Sequence, residues 1–417
     1  EAMGRPEGII IGGGAAGLMA AITAAENGAG VTILEHMPRV GKKILSTGNG
    51  KCNLTNLDMR PDCYRCGTAD FPMTAIGRFS AADTVSFFRR LGVVVTDRNG
   101  YVYPASGQAQ TVLDALREKA ESLEIRIVTE CRPETVERDG TGFCVRTSCG
   151  AFRGDFLILA AGSKAAPSTG SDGSGYDLAA SLGHKIVKPL PALVQLKCRG
   201  DFFRSIAGVR TEAEVSLYTA GKHGELGALL ASDQGELQLT DYGISGIPVF
   251  QVSRYASEAL DRKKRVLAVL DFFPSLKDEE LFLLLKEQRM YLSDRKAEGF
   301  LNGIFHKKLA ALFLKAAGIR GEEMTGRLSD KKLLAAAELI KRTVVEVTAA
   351  NSFDKAQVCM GGVRVKDVDP CTMESRLVPG LYFAGEILDV DGICGGYNLQ
   401  WAWSSGYAAG ASATGKE

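Results

Sequence analysis

Glu7-Gly-Ile-Ile-Ile-Gly-Gly-Gly-Ala-Ala-Gly17 decides how the chain begins to fold. The apolar run ending at Ile11 fits a parallel strand buried on both faces. Gly12, Gly14 and Gly17 follow directly, and the alanine-rich stretch from about Leu18 to Asn27 predicts a helix stopped by Gly28. Gly30-Val-Thr-Ile-Leu-Glu35 predicts a second strand. Strand, glycine turn, helix and strand make a βαβ unit of the length that binds a dinucleotide. The glycines, with Ala15 and Ala16 between them, let backbone approach a pyrophosphate, and the helix start offers free N–H groups and a positive dipole end. Glu35 is placed to accept hydrogen bonds from a ribose diol. The bland alternative is a glycine-rich turn beside a surface glutamate.

At 417 residues the chain exceeds one ordinary core, so two or three domains are expected. Its 45% hydrophobic and 24% charged residues are globular composition. Lys+Arg 50 against Asp+Glu 49 leaves a net charge of +1, which argues against nucleic acid or an anionic membrane as a partner. No apolar run reaches the roughly 18 residues of a membrane span. Ile9 to Ile11 lies too near the start to be a signal-peptide core. Glu1-Ala2 ahead of Met3 reads as a cloning remnant. The 10 cysteines are scattered as free thiols in a reducing compartment would be, so the cytoplasm is the expected location. Cys63-Tyr-Arg-Cys66 has no second pair, and His184, His223 and His306 are dispersed, so no metal site is expected.

Downstream, residues 81–92 and 111–121 predict helices, while 124–129, 143–146 and 152–159 predict strands, the last ending at Ala160-Ala161-Gly162. From about Pro189 short β-rich segments at 212–218, 235–240 and 265–272 suggest a small barrel or sheet. Amphipathic helices follow Pro274. Ser275 is expected to cap one that opens with Asp278-Glu-Glu280, and Ser329 another running to about Lys341. Leu281, Leu284 and Leu285 read as a packing stripe. The last 70 or so residues return to α/β character: a strand at 380–384, Gly385-Glu386, then a glycine-rich loop and a helix from about Asn398. The predicted fold class is α/β: a Rossmann-like, two-dinucleotide-type nucleotide-binding domain interrupted by a β-barrel plus helical insertion. The expected boundaries are 1–190 and 346–417 for the nucleotide-binding domain, 191–274 for the barrel-like part and 275–345 for the helical part.

The fingerprint alone does not separate NAD from FAD. The C-terminal segment does: Gly392-Ile-Cys-Gly-Gly-Tyr-Asn398 leads into a helix whose first N–H groups suit the flavin edge where negative charge gathers on reduction. Gly385, Glu386, Gly396, Tyr397, Asn398 and Leu399 are therefore candidate FAD residues. Gly41-Lys-Lys-Ile-Leu-Ser-Thr-Gly-Asn-Gly-Lys-Cys-Asn53 is a third such loop, placing Lys43, Gly48, Asn49, Cys52 and Asn53 near the cofactor. Lys42 or Lys43 is a candidate to neutralise phosphate, with ordinary solvated lysines as the alternative; Cys52 reads chiefly as a buried, inert thiol. Gly170-Ser-Asp-Gly-Ser-Gly175 precedes another helix start.

Taken together, Gly12 to Gly17, Ser46-Thr-Gly-Asn-Gly-Lys-Cys-Asn-Leu-Thr-Asn56, Gly243-Ile-Ser-Gly246, Gly361-Gly-Val363 and the block from Thr372 through Trp401 resemble the BaiN-like or aminoacetone-oxidase-like flavoproteins. These are similar in their FAD domain to fumarate reductases and ketosteroid dehydrogenases. The resemblance implies the interrupted FAD domain and carries cofactor positions to Gly14, Gly17, Glu35, Gly162, Glu386, Asn398 and their neighbours. Asp241 stands where many members have His, and Cys359 where Thr is commoner, which puts the substrate class in doubt and leaves FAD untouched.

The resemblance implies an oxidoreductase moving hydride between flavin N5 and a small or medium organic substrate. A reductase of an activated C=C bond, fed by transient NAD(P)H because no second GxGxxG is present, ranks ahead of an oxygen-using amine oxidase. A non-catalytic redox sensor is the alternative outside enzymes, and flavin-dependent RNA modification ranks low for want of a basic surface. Tyr397, Tyr242 and Lys51 are weak proton-donor candidates.

Overall fold

The computed structural model describes residues 4–415. Glu1-Ala2 lies outside the described residues. The chain divides into two compact units, Glu1–Leu190 with Gln357–Glu417, and Pro191–Ala356.

In the first unit, five strands pair in parallel in the order Leu381–Phe383, Phe156–Leu159, Glu7–Ile11, Gly30–Leu34, Arg126–Val128. The central strands are buried on both faces, which is why they read as unbroken apolar runs. The first helix spans Ala15–Glu26, opening earlier than Leu18 because Gly14 takes the N-cap position. The single strand expected over 152–159 is two, Gly150–Gly154 and Phe156–Leu159. Between them Asp155 donates its N–H to Glu7 O at 2.6 Å and accepts the Glu7 N–H at 2.7 Å. That exchange passes the chain from a three-stranded antiparallel sheet, Pro133–Asp139, Gly142–Thr147 and Gly150–Gly154, into the parallel one.

The C-terminal helix, Tyr397–Ala413, is buried on nearly every side and lies on the first helix. Glycine sets their spacing. A Cβ on Gly406 would lie 2.6 Å from Ala16 O, and one on Gly410 2.5 Å from Ala20 O. Contacts that advance four residues on each helix make the two run in the same direction.

The second unit is an antiparallel sheet with helices. Its strands run in the order Leu196–Cys198, Gly243–Ser245, Leu226–Leu239, Arg210–Ala220, Val266–Asp271, Thr343–Ala350, and the last pairs back with the first. The helices Asp278–Tyr291, Lys307–Ala316 and Asp330–Lys341 share one apolar core with that sheet, a cluster that holds Leu281, Leu285 and Phe313 together with Val215 and Leu217. Sheet and helices are therefore one body, not separate parts meeting at 274. The return to the first unit comes at Gln357, not 346, because Thr343–Ala350 is a strand of the inserted sheet. Ser329 caps its helix by accepting the Lys332 N–H. Ser275 caps nothing: the helix opens at Asp278 after Lys277. The buried Lys341 ammonium holds the Phe273 and Leu276 carbonyls and pairs with Asp271, fixing the turn ahead of that start.

His184 is 3% exposed, with Nε2 2.6 Å from Ser375 Oγ and no partner at Nδ1. Burial holds its pKa below the ordinary value of 6.5. The folded state thus binds fewer protons than the unfolded state as pH falls through about 6.5, and stability drops there. In urea titrations, wild type is expected to lose stability from pH 7 to pH 5.5 relative to His184→Gln; parallel curves would refute this.

Candidate functional site

The first strand is the switch point of the parallel sheet. Gly30–Leu34 lies on one side and Phe156–Leu159 on the other, so a crevice opens beyond the strand ends. The residues that follow four of these strands are Gly12, Glu35, Ala160 and Ala384. Hydrogen bonds keep them in line: Gly12 N–H to Leu34 O at 3.0 Å, Ala160 N–H to Ile11 O at 2.8 Å, and Ala384 N–H to Leu159 O at 3.0 Å. Gly12, Glu35, Ala161, Gly162, Gly385 and Glu386, far apart in sequence, therefore stand along one sheet edge.

No side chain fits at two of the fingerprint glycines. Gly12 has φ +105° and a Cβ there would lie 2.2 Å from Ala160 O; a Cβ on Gly17 would lie 1.8 Å from Gly12 O. Gly14 differs. Its φ is −86°, a Cβ would meet nothing within 4 Å, and it leaves the helix start at Ala15 and Ala16 without a side-chain cap. Glu35 is 9% exposed; Oε1 accepts the Gly13 N–H at 3.3 Å and Oε2 the Met37 N–H at 3.2 Å. Its remaining lone pairs are the ones a diol would use.

The third loop folds as Lys42–Ser46 and Thr47–Gly50, with Gly48 and Asn49 left-handed. Lys43 Nζ pairs with Glu386 Oε2 at 2.7 Å, and Lys42 Nζ donates to Ser168 O at 2.9 Å. The Cys52 thiol is buried and pushed up to about 11 by that burial, so it stays protonated and inert. Lys51 is exposed. Asn53 is 8% exposed, and its Oδ1 has no hydrogen-bond partner. It lies 2.9 Å from where a Cβ on Gly396 would stand.

Gly396, φ +93°, opens the C-terminal helix with no side-chain cap. Given the register of Ala16 on Gly406, this start projects about 12 Å beyond that of the first helix at 1.5 Å per residue. The Tyr397 hydroxyl donates to Asp58 O at 2.6 Å, while its own carbonyl accepts from the Tyr64 hydroxyl at 2.6 Å. Burial raises its pKa, with Cys63 beside it adding to the effect. The hydroxyl, bonded to Asp58 O, holds the loop in place. Asn398 is likewise a latch: Oδ1 accepts the Gly392 N–H at 2.8 Å and Nδ2 donates to Gly392 O at 3.1 Å. Leu399 is half-buried in the same turn. Tyr242, exposed beside the strand Gly243–Ser245, belongs to the second unit, as does the exposed Asp241.

Sequence reasoning missed three groups. Gln400, fully buried, accepts from Thr55 Oγ1 at 2.6 Å and Thr84 Oγ1 at 2.8 Å and donates to Phe79 O at 3.1 Å. Trp401 Nε1 donates to Gly385 O at 3.0 Å, and Ser405 Oγ accepts the Gly385 N–H at 2.8 Å. The Tyr176 hydroxyl is buried without a partner; burial raises its pKa, helped by Cys359, Glu386 and Asp389 nearby. The motif block through Trp401 contained the first two but gave no sign that they hold the loops rather than a ligand.

Two uncapped helix starts, open space at Gly14 and an orphaned acceptor on Asn53 suit a long ligand that presents a pyrophosphate to the first helix start and a hydrogen-bonding ring to the second. FAD has that chemistry. Among the described residues no three His, Cys, Asp or Glu side chains gather as a metal site, and no helix is long and apolar enough to cross a membrane.

The fold and crevice define an α/β nucleotide-binding protein with an inserted antiparallel sheet. Residues 6–412 match the HI0933-like protein Rossmann domain. The chain belongs to this family and is a flavin-dependent oxidoreductase. It is 43% identical to a 3-dehydro-bile acid delta(4,6)-reductase of Clostridium scindens, over 97% of this chain and 98% of the relative. It is 29% identical to a ribosomal RNA dihydrouridine synthase of Haemophilus influenzae, over 97% and 98%. Among solved structures, a 3-ketosteroid delta1-dehydrogenase from Sterolibacterium denitrificans shares the fold at TM-score 0.50 and 11% identity, covering 98% of this chain and 99% of that one.

Gly14→Ala separates ligand contact from folding. The variant is expected to keep the unfolding free energy of flavin-free wild type within about 1 kcal/mol, the range of an N-cap change, yet bind FAD at least about tenfold more weakly, the factor that about 1.4 kcal/mol sets. Equal FAD affinity by fluorescence titration would remove the pyrophosphate from this turn.

Proposed function

We propose that FAD lies along the crevice from Glu35 to Gly396 and that the protein reduces an activated carbon–carbon double bond in a small or medium organic molecule, a bile-acid-like or steroid-like enone being the leading class. The observation that carries this reading is the 43% identity with the bile-acid reductase over 97% of the chain. When bound, FAD supplies the hydride-transferring centre at its ring. The residues of this chain position it. The uncapped start of Tyr397–Ala413 offers N–H groups and a positive dipole end to charge gathering on the reduced ring. Lys43 neutralises Glu386 at that strand end. With the Tyr397 hydroxyl committed to Asp58, Lys51 and Tyr242 are the remaining side-chain proton-donor candidates.

We read the inserted sheet as a barrel. NAD(P)H, visiting the flavin face, is the proposed electron donor, and the reducing cytoplasm suits the 10 free cysteines. The relative named for dihydrouridine favours a second reading in which the double bond belongs to a uracil of RNA. The chain's net charge of +1 keeps that reading second.

In anaerobic stopped-flow, NADH or NADPH is expected to bleach the flavin, and a 3-oxo-4-ene bile acid to restore its colour with saturation of the double bond. Bleaching by neither nucleotide would sink the nicotinamide-fed version. Recolouring only by oxygen after reduction by an amine would replace the reductase with an oxidase, and recolouring only by uridine-containing RNA would establish the second reading.

A further inference from the structure

The antiparallel ladder beside the crevice ends in two cysteines. Pro133 pairs with Thr147, and one step outward the Ser148 N–H donates to Arg132 O at 3.0 Å while Ser148 Oγ accepts the Arg132 N–H at 3.0 Å. Cys149 follows Ser148 in the two-residue turn between the strands Gly142–Thr147 and Gly150–Gly154, where its N–H donates to Thr147 Oγ1 at 3.0 Å, and Cys131 precedes Arg132 beside that turn. A disulfide needs Cβ atoms about 3.5–4.5 Å apart. Cys149 leans the right way: its Sγ is 3.5 Å from Glu130 O, above the peptide that leads into Cys131. The two thiols are hydrogen-bond neighbours. Both are free; Cys131 is buried and Cys149 exposed. An exposed thiol with a buried partner at hand is the arrangement of an attacking and a resolving cysteine.

The pair also touches the nucleotide crevice. The Cys131 N–H donates to Glu35 O at 2.9 Å, and the Glu130 N–H to Met37 O at 3.1 Å. These bonds hold the backbone of the residue whose carboxylate faces the ribose position. We propose that Cys131 and Cys149 form a reversible disulfide, and that closing it displaces the 130–131 backbone from Glu35 and loosens FAD.

The chemistry balances with a hydroperoxide as oxidant. The Cys149 thiolate attacks the peroxide; its O–O bond breaks, and the products are Cys149 sulfenic acid and, after protonation, one alcohol or water. Cys131 sulfur then attacks the sulfenic sulfur, the S–O bond breaks, and the S–S bond forms with release of water. Two thiols are oxidised and one peroxide is reduced. A dithiol reverses it by exchange.

The crosslink does not depend on the FAD reading of the crevice, whereas the loosening does, and the experiment keeps the two apart. Flavin-loaded full-length protein is treated with hydrogen peroxide, then split for peptide mass mapping without reductant and for fluorescence of released FAD. Expected are a Cys131–Cys149 crosslinked peptide, several-fold faster FAD release, and restoration of both by dithiothreitol. Cys149→Ser should abolish crosslink and accelerated release; Cys131→Ser should leave Cys149 trapped by dimedone as a sulfenic acid. If wild-type Cys149 is instead trapped by dimedone with no crosslink to Cys131, the pair is not a dithiol switch. A crosslink with unchanged FAD release overturns the coupling to Glu35. Protein that never retains FAD, yet forms the crosslink, would count against the cofactor assignment and the coupling while leaving the disulfide standing.

Discussion

Two helices at opposite ends of the chain meet at backbone distance, and the crevice depends on that contact. Gly406 and Gly410 leave room for the carbonyls of Ala16 and Ala20 where any side chain would intrude. Ordinary helix pairs stand about 8–10 Å apart, spaced by their side chains. The close approach, with its parallel register, sets where Gly396 ends up relative to Gly14. Trp401 and Ser405 then grip Gly385 from the last helix, so the strand end carrying Glu386 is fixed by the same contact. A shift of this pair would move both helix starts and the glutamate together.

Polar groups in this unit fall into two kinds. Around Gln400 every donor and acceptor is matched, tying Thr55, Thr84, Phe79 and Ser404 to the last helix. Such a closed network fixes a loop and asks nothing of a ligand. Asn53 Oδ1 and the Tyr176 hydroxyl are unmatched, beside Gly396 and near Glu386 respectively. An orphaned buried group costs on the order of 1–3 kcal/mol, a cost that a bound ligand removes.

Much of this was legible. Gly12 to Gly17 with Glu35 specified the first βαβ unit, because strand, turn and helix each leave a local signature there. The glycine-rich approach to Tyr397 marked the second helix start for the same reason. What stayed hidden was non-local. Nothing around Leu381–Phe383 says that it pairs with Phe156–Leu159, or that Thr343–Ala350 pairs with Leu196–Cys198. The last helix is buried almost all round, so it has no polar face to reveal which side meets the first helix. The side chains of Asn398 and Tyr397 hold the loop ahead of the helix, a role that residue type alone does not reveal. Ser275 looked like a cap because Lys341, many residues away, decides where that helix begins.

The pairing of first helix with last also orders events during synthesis. A ribosome makes the fingerprint turn and Glu35 early, but Gly385, Gly396 and Gly406 emerge only after the whole second unit. Until then the side of the first helix that meets the last one lacks that partner and is open to wrong contacts. The nascent chain must wait, half-cradled, for its final residues. Cofactor capture is therefore a late event, and a prematurely terminated product would carry the nucleotide signature without the means to keep a flavin.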